Sequence, residues 1–177
     1  MKNYGRTSVS EFLDDRIVYR NLAPLDSRLP PLARLRSLLG LPGGLIPRKS
    51  ELEYARVIAH LLQEARRLDR PGIPIERLIY VGDTLLNDGN AFANICRAGG
   101  WPGLAFIGFE RDDSPKVEVV EGQDGILYLS NRWSALGEFD RFCWERYHPV
   151  DECDAVVVDL DKTAPVSYTH LRAHETT

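Results

Sequence analysis

Four short runs that are apolar at almost every position, residues 78–81, 104–109, 126–129 and 155–158, constrain this chain more than any other feature. A run with no polar alternation suits a strand covered on both faces. Between the first two runs lie the loop GDTLLND, a stretch of helical character through Ala98 and a Gly-Gly stop. A helix carrying Trp133, Leu136, Phe139 and Cys143 follows the third run. Strand, loop, helix, strand is the rhythm of a parallel sheet with helices on both faces. The expected fold class is therefore α/β, with a Rossmann-like parallel sheet.

Upstream of the first run, residues 1–46 read as helical pieces, SVSEFLDDRIVYRNL and PPLARLRSLLGL, closed by the breaker PGG at 42–44. A long amphipathic helix comes next. Ser50 followed by Glu53 has the pattern of a capping box, and Leu52, Ala55, Ile58, Leu62 and Ala65 recur at the spacing of a buried stripe. The segment RPGIP at 70–74 ends it. Residues 111–123 are polar and read as a surface excursion. The last thirteen residues, PVSYTHLRAHETT from Pro165, lack periodicity and look like translated adapter read-through, so they are set aside from the fold. On that reading His170 and His174 are not metal ligands despite their i,i+4 spacing. The expected organisation is a helical N-terminal extension (1–45), an α/β domain (46–164) and a non-native tail (165–177).

Composition narrows the function classes. With 44% hydrophobic and 27% charged residues the chain is ordinary globular protein. No apolar run approaches the ~20 residues of a membrane span, and the N-terminus has no signal-peptide core. A cytoplasmic location and no membrane partner follow as expectations. The formal charge is -4, with Lys and Arg dispersed, which provides no electrostatic footprint for nucleic acid and speaks against a metal-dependent nuclease. Cys96, Cys143 and Cys153 show no C-x-x-C spacing and read as buried or half-buried thiols rather than a disulfide or zinc framework.

Two of the apolar runs end in carboxylates, at the sheet edge where open α/β proteins bind ligands. In AVVVDLDKT, Asp159 closes the strand and Asp161 follows two positions later, with Thr163 beyond. Two carboxylates this close repel unless a cation lies between them, and Mg2+ suits such oxygen ligands while keeping water for a phosphate to displace. In LIYVGDTLLND, Gly82 permits a tight turn, Asp83 faces the open edge and Asp88 returns toward it as a helix begins. The plainer reading is a helix-start loop, with Thr84 or Asn87 as cap and Asp88 favouring the positive helix end.

Taken together, D-x-D-x-T and G-D-x-x-x-x-D resemble the signature pair of the haloacid-dehalogenase-like hydrolases. The resemblance implies a Mg2+-dependent phosphohydrolase acting on a small phosphorylated substrate through an aspartyl-phosphate. It makes Asp159 the nucleophile and Asp161 the general acid and base. It gathers Asp159, Asp161, Asp83 and Asp88 around the metal, with Thr163, Gly82 and Thr84 lining the substrate phosphate. The family also supplies a cation ahead of the G-D strand, a place that Lys49 occupies, with Arg48 as its competitor.

The order of motifs departs from the family. Here Lys49 and Gly82-Asp83 precede Asp159, as circular permutation or a tandem of two domains would give. Nothing before Lys49 offers a buried strand ending in D-x-D, since Asp14 and Asp15 sit in a helical pattern. The family's Ser or Thr strand end would fall after Thr163, so the sheet is expected to be incomplete and turnover slight. Ser130, in ILYLSN, is a tempting substitute, but Ser130 or Asn131 is better read as a helix N-cap. A non-catalytic metal- or phosphate-binding module on the same fold is the alternative reading.

Overall fold

The computed structural model describes residues 16–111 and 113–160, and the chain divides after Ile46 into two compact units. In the first, Val18 and Pro24 form an antiparallel bridge, and helix α1 spans Leu32–Leu39. Gly40 ends α1 in the left-handed conformation, φ 61°, and returns its N–H to the Arg36 carbonyl, a stop that glycine makes without a Cβ penalty. Leu22, Leu29, Leu35 and Leu41 are buried. The helix expected from PPLARLRSLLGL is thus present. The one expected from SVSEFLDDRIVYRNL is absent in its described part, 16–22, which is bridge and turn. Asn21 explains the turn: its side-chain oxygen accepts the Ala23 N–H at 3.1 Å, a local bond that competes with helix. Residues 8–15 of that piece, with Asp14 and Asp15, lie outside the described residues, as does the tail with His170 and His174.

The second unit contains helix α2 (Leu52–Asp69), strand β1 (Arg77–Gly82), helix α3 (Asn90–Gly99), strands β2 (Gly103–Gly108), β3 (Val117–Glu121) and β4 (Ile126–Ser130), helix α4 (Leu136–Arg146) and strand β5 (Asp154–Val158). They build one five-stranded sheet in the order β3-β4-β2-β1-β5. β5, β1, β2 and β4 run parallel, and β3 is antiparallel to β4. All four apolar runs are strands, β2 being buried along its whole length.

Strand alternation sends neighbouring residues to opposite faces. Ile79, Leu104, Phe106, Ile126 and Tyr128 join Phe139 and Cys143 of α4 in one cluster. Tyr80, on the other face, packs against Phe92 of α3 at 6.3 Å between ring centroids, and α3 lies against α2. Gly103 lets α3 approach closely: a Cβ there would stand 2.6 Å from Cys96 Sγ. The result is an α/β domain with helices on both sheet faces, compatible with a Rossmann-like fold. No helix among the described residues is long and apolar enough to cross a membrane. The cysteines are free thiols, Cys96 and Cys143 buried and Cys153 half-buried.

Four local expectations are corrected. The capping box does not form: Glu51 is the N-cap and makes no side-chain cap bond, because its carboxylate accepts the Arg48 N–H at 2.9 Å. Within α2 the buried stripe is Ala55, Val57, Ile58, Ala59 and Leu61, while Leu52 is exposed. The polar excursion at 111–123 contains β3, exposed along its length. Neither Ser130 nor Asn131 caps a helix: the Ser130 hydroxyl accepts the Arg132 N–H at 3.1 Å. The Asn131 side chain instead holds the preceding loop through the Lys116 N–H and the Ser114 carbonyl.

Candidate active site

β1 and β5 are hydrogen-bonded neighbours, with Val81 opposite Val158. The pairing continues one step past the strands, where the Asp159 N–H donates to the Val81 carbonyl at 2.9 Å. The two acidic loops therefore leave the same edge of the sheet side by side. Asp83, Asp88 and Asp159 each offer an oxygen, all within 4.8 Å of one another.

Asp88 is placed by a single turn of π-helix, Leu85–Gly89, between β1 and α3. That wide turn, closed by the Asp88 and Gly89 N–H groups on the Thr84 carbonyl, swings the Asp88 side chain back over its own loop. Its Oδ2 accepts the N–H groups of Asp83 at 3.1 Å and Thr84 at 2.9 Å. Its Oδ1 accepts the Tyr80 hydroxyl at 3.0 Å and the Lys49 ammonium at 2.8 Å. Gly82 makes room for this, since a Cβ there would stand 2.6 Å from the Asp88 Cβ. Thr84 donates its hydroxyl to Asp83 Oδ1 at 2.5 Å.

Lys49 arrives from the tight turn before α2, in which the Glu51 N–H bonds the Arg48 carbonyl. Asn94 of α3 fixes that turn by donating to the Ser50 carbonyl at 3.2 Å. From there the Lys49 Nζ reaches Asp88 and also stands 2.5 Å from Asp159 Oδ2. Burial by itself would lower the Lys49 pKa, but the hydrogen bonds to Asp159 and Asp88 outweigh it and raise it. Asp88 mirrors this. Burial pushes its pKa up, yet the Lys49 hydrogen bond and charge, with the Thr84 N–H and Tyr80 hydroxyl, bring it below the ordinary value. Burial raises the Tyr80 and Tyr54 phenols above their ordinary 10.0.

Of the residues singled out in the sequence, Lys49, Gly82, Asp83, Thr84, Asp88 and Asp159 come together. Arg48 stays exposed, and Ser130 ends β4, which β2 separates from β1. Asp161 and Thr163 lie outside the described residues. Tyr80 went unnoticed because in LIYVG it reads as one more apolar strand residue. Three carboxylates against one ammonium leave two formal negative charges, which a divalent cation would balance, and oxygen-only donors suit a hard one. No family model, curated protein or solved structure matches the chain.

Proposed function

We propose that this chain is the phosphoryl-handling domain of a Mg2+-dependent phosphohydrolase of haloacid-dehalogenase-like architecture, with its motifs in permuted order. One observation carries the reading: Lys49, Asp83, Asp88 and Asp159 converge at the C-terminal ends of two adjacent parallel strands. A single acidic loop at a strand end is common. Two such loops sharing one ammonium form a constellation suited to a phosphoryl group.

Asp159 attacks phosphorus through a carboxylate oxygen. The bond to the leaving oxygen breaks as an acyl phosphate forms, which divides the displacement into two easier steps. Lys49, already against Asp159, lies where charge spreads over the equatorial oxygens. The backbone N–H groups of the Gly82–Thr84 turn are held by Asp88, which fixes the loop facing the substrate. Asp161 is assigned the proton transfers, giving a proton to the leaving oxygen and later taking one from the hydrolytic water. Mg2+, held by carboxylates of this cluster, would neutralise charge on the transferring group. The substrate class is a small phosphate ester.

The test is phosphate release from p-nitrophenyl phosphate with and without Mg2+, alongside capture of beryllium fluoride followed by 19F NMR. A Mg2+-dependent fluoride adduct on the native chain, lost in Asp159→Asn, is the expected result. Hydrolysis that survives Asp159→Asn removes the nucleophile. Uptake of Mg2+ with no adduct points instead to a binding module on the same fold.

A further inference from the structure

β3 is an edge of the sheet and is exposed at all five of its residues. Two bonds fix how it is oriented. At its ends the Asn131 N–H donates to the Lys116 carbonyl and the Gly122 N–H to the Gly125 carbonyl. In an antiparallel ladder only alternate residues bond the neighbouring strand. Glu118 and Val120 therefore turn their backbone groups to Leu129 and Leu127 of β4, their register partners. Val117, Val119 and Glu121 turn theirs outward, where no strand meets them among the described residues. Native edges are commonly blunted by Pro, Lys, a bulge or a covering element. β3 reads VEVVE, keeps an unbroken register with β4 and exposes Val117, Val119 and Val120.

We infer that this edge is a dimer interface, at which β3 of a second copy of this chain pairs antiparallel about a two-fold axis at Val119. The strand's own sequence selects both the copy and the register. Val119 is the middle residue, so an axis there bonds Val119 to its own copy and Val117 to Glu121 of the second copy. Every outward N–H and C=O group of the strand then finds a partner. Side chains directly opposite each other across such a ladder interact, and like charges there are destabilising. With this axis Glu118 stands opposite Val120 and Glu121 opposite Val117, so no carboxylate faces another. Glu121 also keeps its ion pair with Arg146 of α4. Moving the axis to Glu118 sets two carboxylates face to face. Moving it to Val120 sets Val117 against Gln123, beyond the end of the strand. A contact of one strand from each copy is small, so the dimer is weak and reversible. It lies across the sheet from β5, which leads to Asp159.

Sedimentation equilibrium and residue-resolved amide exchange on the full chain test this. Raising the concentration should convert monomer to dimer and slow exchange at Val117, Val119 and Glu121. Glu118 and Val120, already bonded to β4, should not change. Val119→Pro removes the central outward N–H, and proline is tolerated in an edge strand where that N–H faces away from the ladder. Two backbone hydrogen bonds are lost across the axis, so this variant should dimerise at least about tenfold more weakly. Its Leu127 and Leu129 amides should stay protected, which shows β3 still in place on β4. A native chain that remains monomeric up to about millimolar concentration overturns the inference. So does a dimer whose formation leaves the three outward amides exchanging as before, or a Val119→Pro dimer as tight as the native one. If Val119→Pro strips β3 from β4, the exchange pattern of the native chain decides alone.

Discussion

Arg77 and Asp154 face each other as register partners on β1 and β5 and form a two-point ion pair, Nε to Oδ1 at 2.8 Å and Nη2 to Oδ2 at 2.6 Å. Both side chains are essentially removed from solvent, at 2% and 0% exposure. Asp154 also accepts the Asp151 N–H at 2.9 Å. Arg66 of α2 donates to the Asp154 carbonyl at 2.6 Å and to the Glu152 carbonyl. The pair thus clamps one end of the two strands whose other ends carry Asp83 and Asp159.

Breaking one side of this clamp should cost far more than removing it whole. Arg77→Met or Asp154→Asn leaves an unpaired buried partner and should destabilise the domain by about 3–5 kcal/mol. Replacing both residues together by apolar ones should recover much of that loss. Urea midpoints of the three variants check this, and single variants as stable as the native chain would contradict it. The cluster of His148, Asp151 and Asp154 has the spacing of a metal site, but both Asp154 oxygens are already committed to Arg77.

Gly82→Ala should act through distance alone, since the new methyl would stand 2.6 Å from the Asp88 Cβ and 2.7 Å from its Cγ. A core position that must shift to admit one carbon typically costs about 1–3 kcal/mol. The loop carrying Asp83 and Thr84 should move with Asp88. The readouts are a lower melting temperature and displaced amide resonances at Asp83 and Thr84, whose N–H groups bond Asp88. Unshifted amides would show that Asp88 does not hold the loop.

Acid and alkali should undo the site in opposite ways in metal-free buffer. Asp88 has a folded pKa below its ordinary 3.8, so its contribution to stability is present above that value and is lost as pH falls through the folded pKa. Lys49 and Tyr80 are raised above 10.5 and 10.0; their contributions are present below those values and are lost as pH rises further. The stability gap between the native chain and Asp88→Asn should accordingly be flat between about pH 5 and 9 and close on strong acidification. A gap that widens toward acid would reverse the assignment.

The sheet was legible where burial and composition agree. Residues 78–81, 104–108 and 126–129 lie in strands buried on at least one face, and 155–158 lies in β5 although Val156 and Val158 are exposed. β3 escaped because VEVVE places glutamates among valines in a strand exposed along its length, so strand propensity had no burial signal beside it. Arg77–Asp154 was invisible for the opposite reason: two charged residues at strand starts read as turn punctuation, and only register shows that they meet. Lys49 could be placed in the site despite its long separation from Gly82, because α2 runs 18 residues away from the edge and β1 returns to it. The capping box failed because the helix starts one residue later than Ser50 requires: Glu51 is the N-cap, and its carboxylate is turned back to the Arg48 N–H.

Among the described residues, the sheet is threaded so that its last strand in sequence is the neighbour of its first, with β2, β4 and β3 on the far side of β1. During synthesis, β1 through β4 can pair and bury their aromatics before β5 has left the ribosome, and contacts this distant in sequence are the slow ones to close. Until then Lys49 has Asp88 and no second carboxylate, and Arg77 waits without a counter-charge. A nascent chain therefore passes through a stage in which much of the sheet is paired while Lys49 still lacks Asp159, and docking of β5 brings the two together.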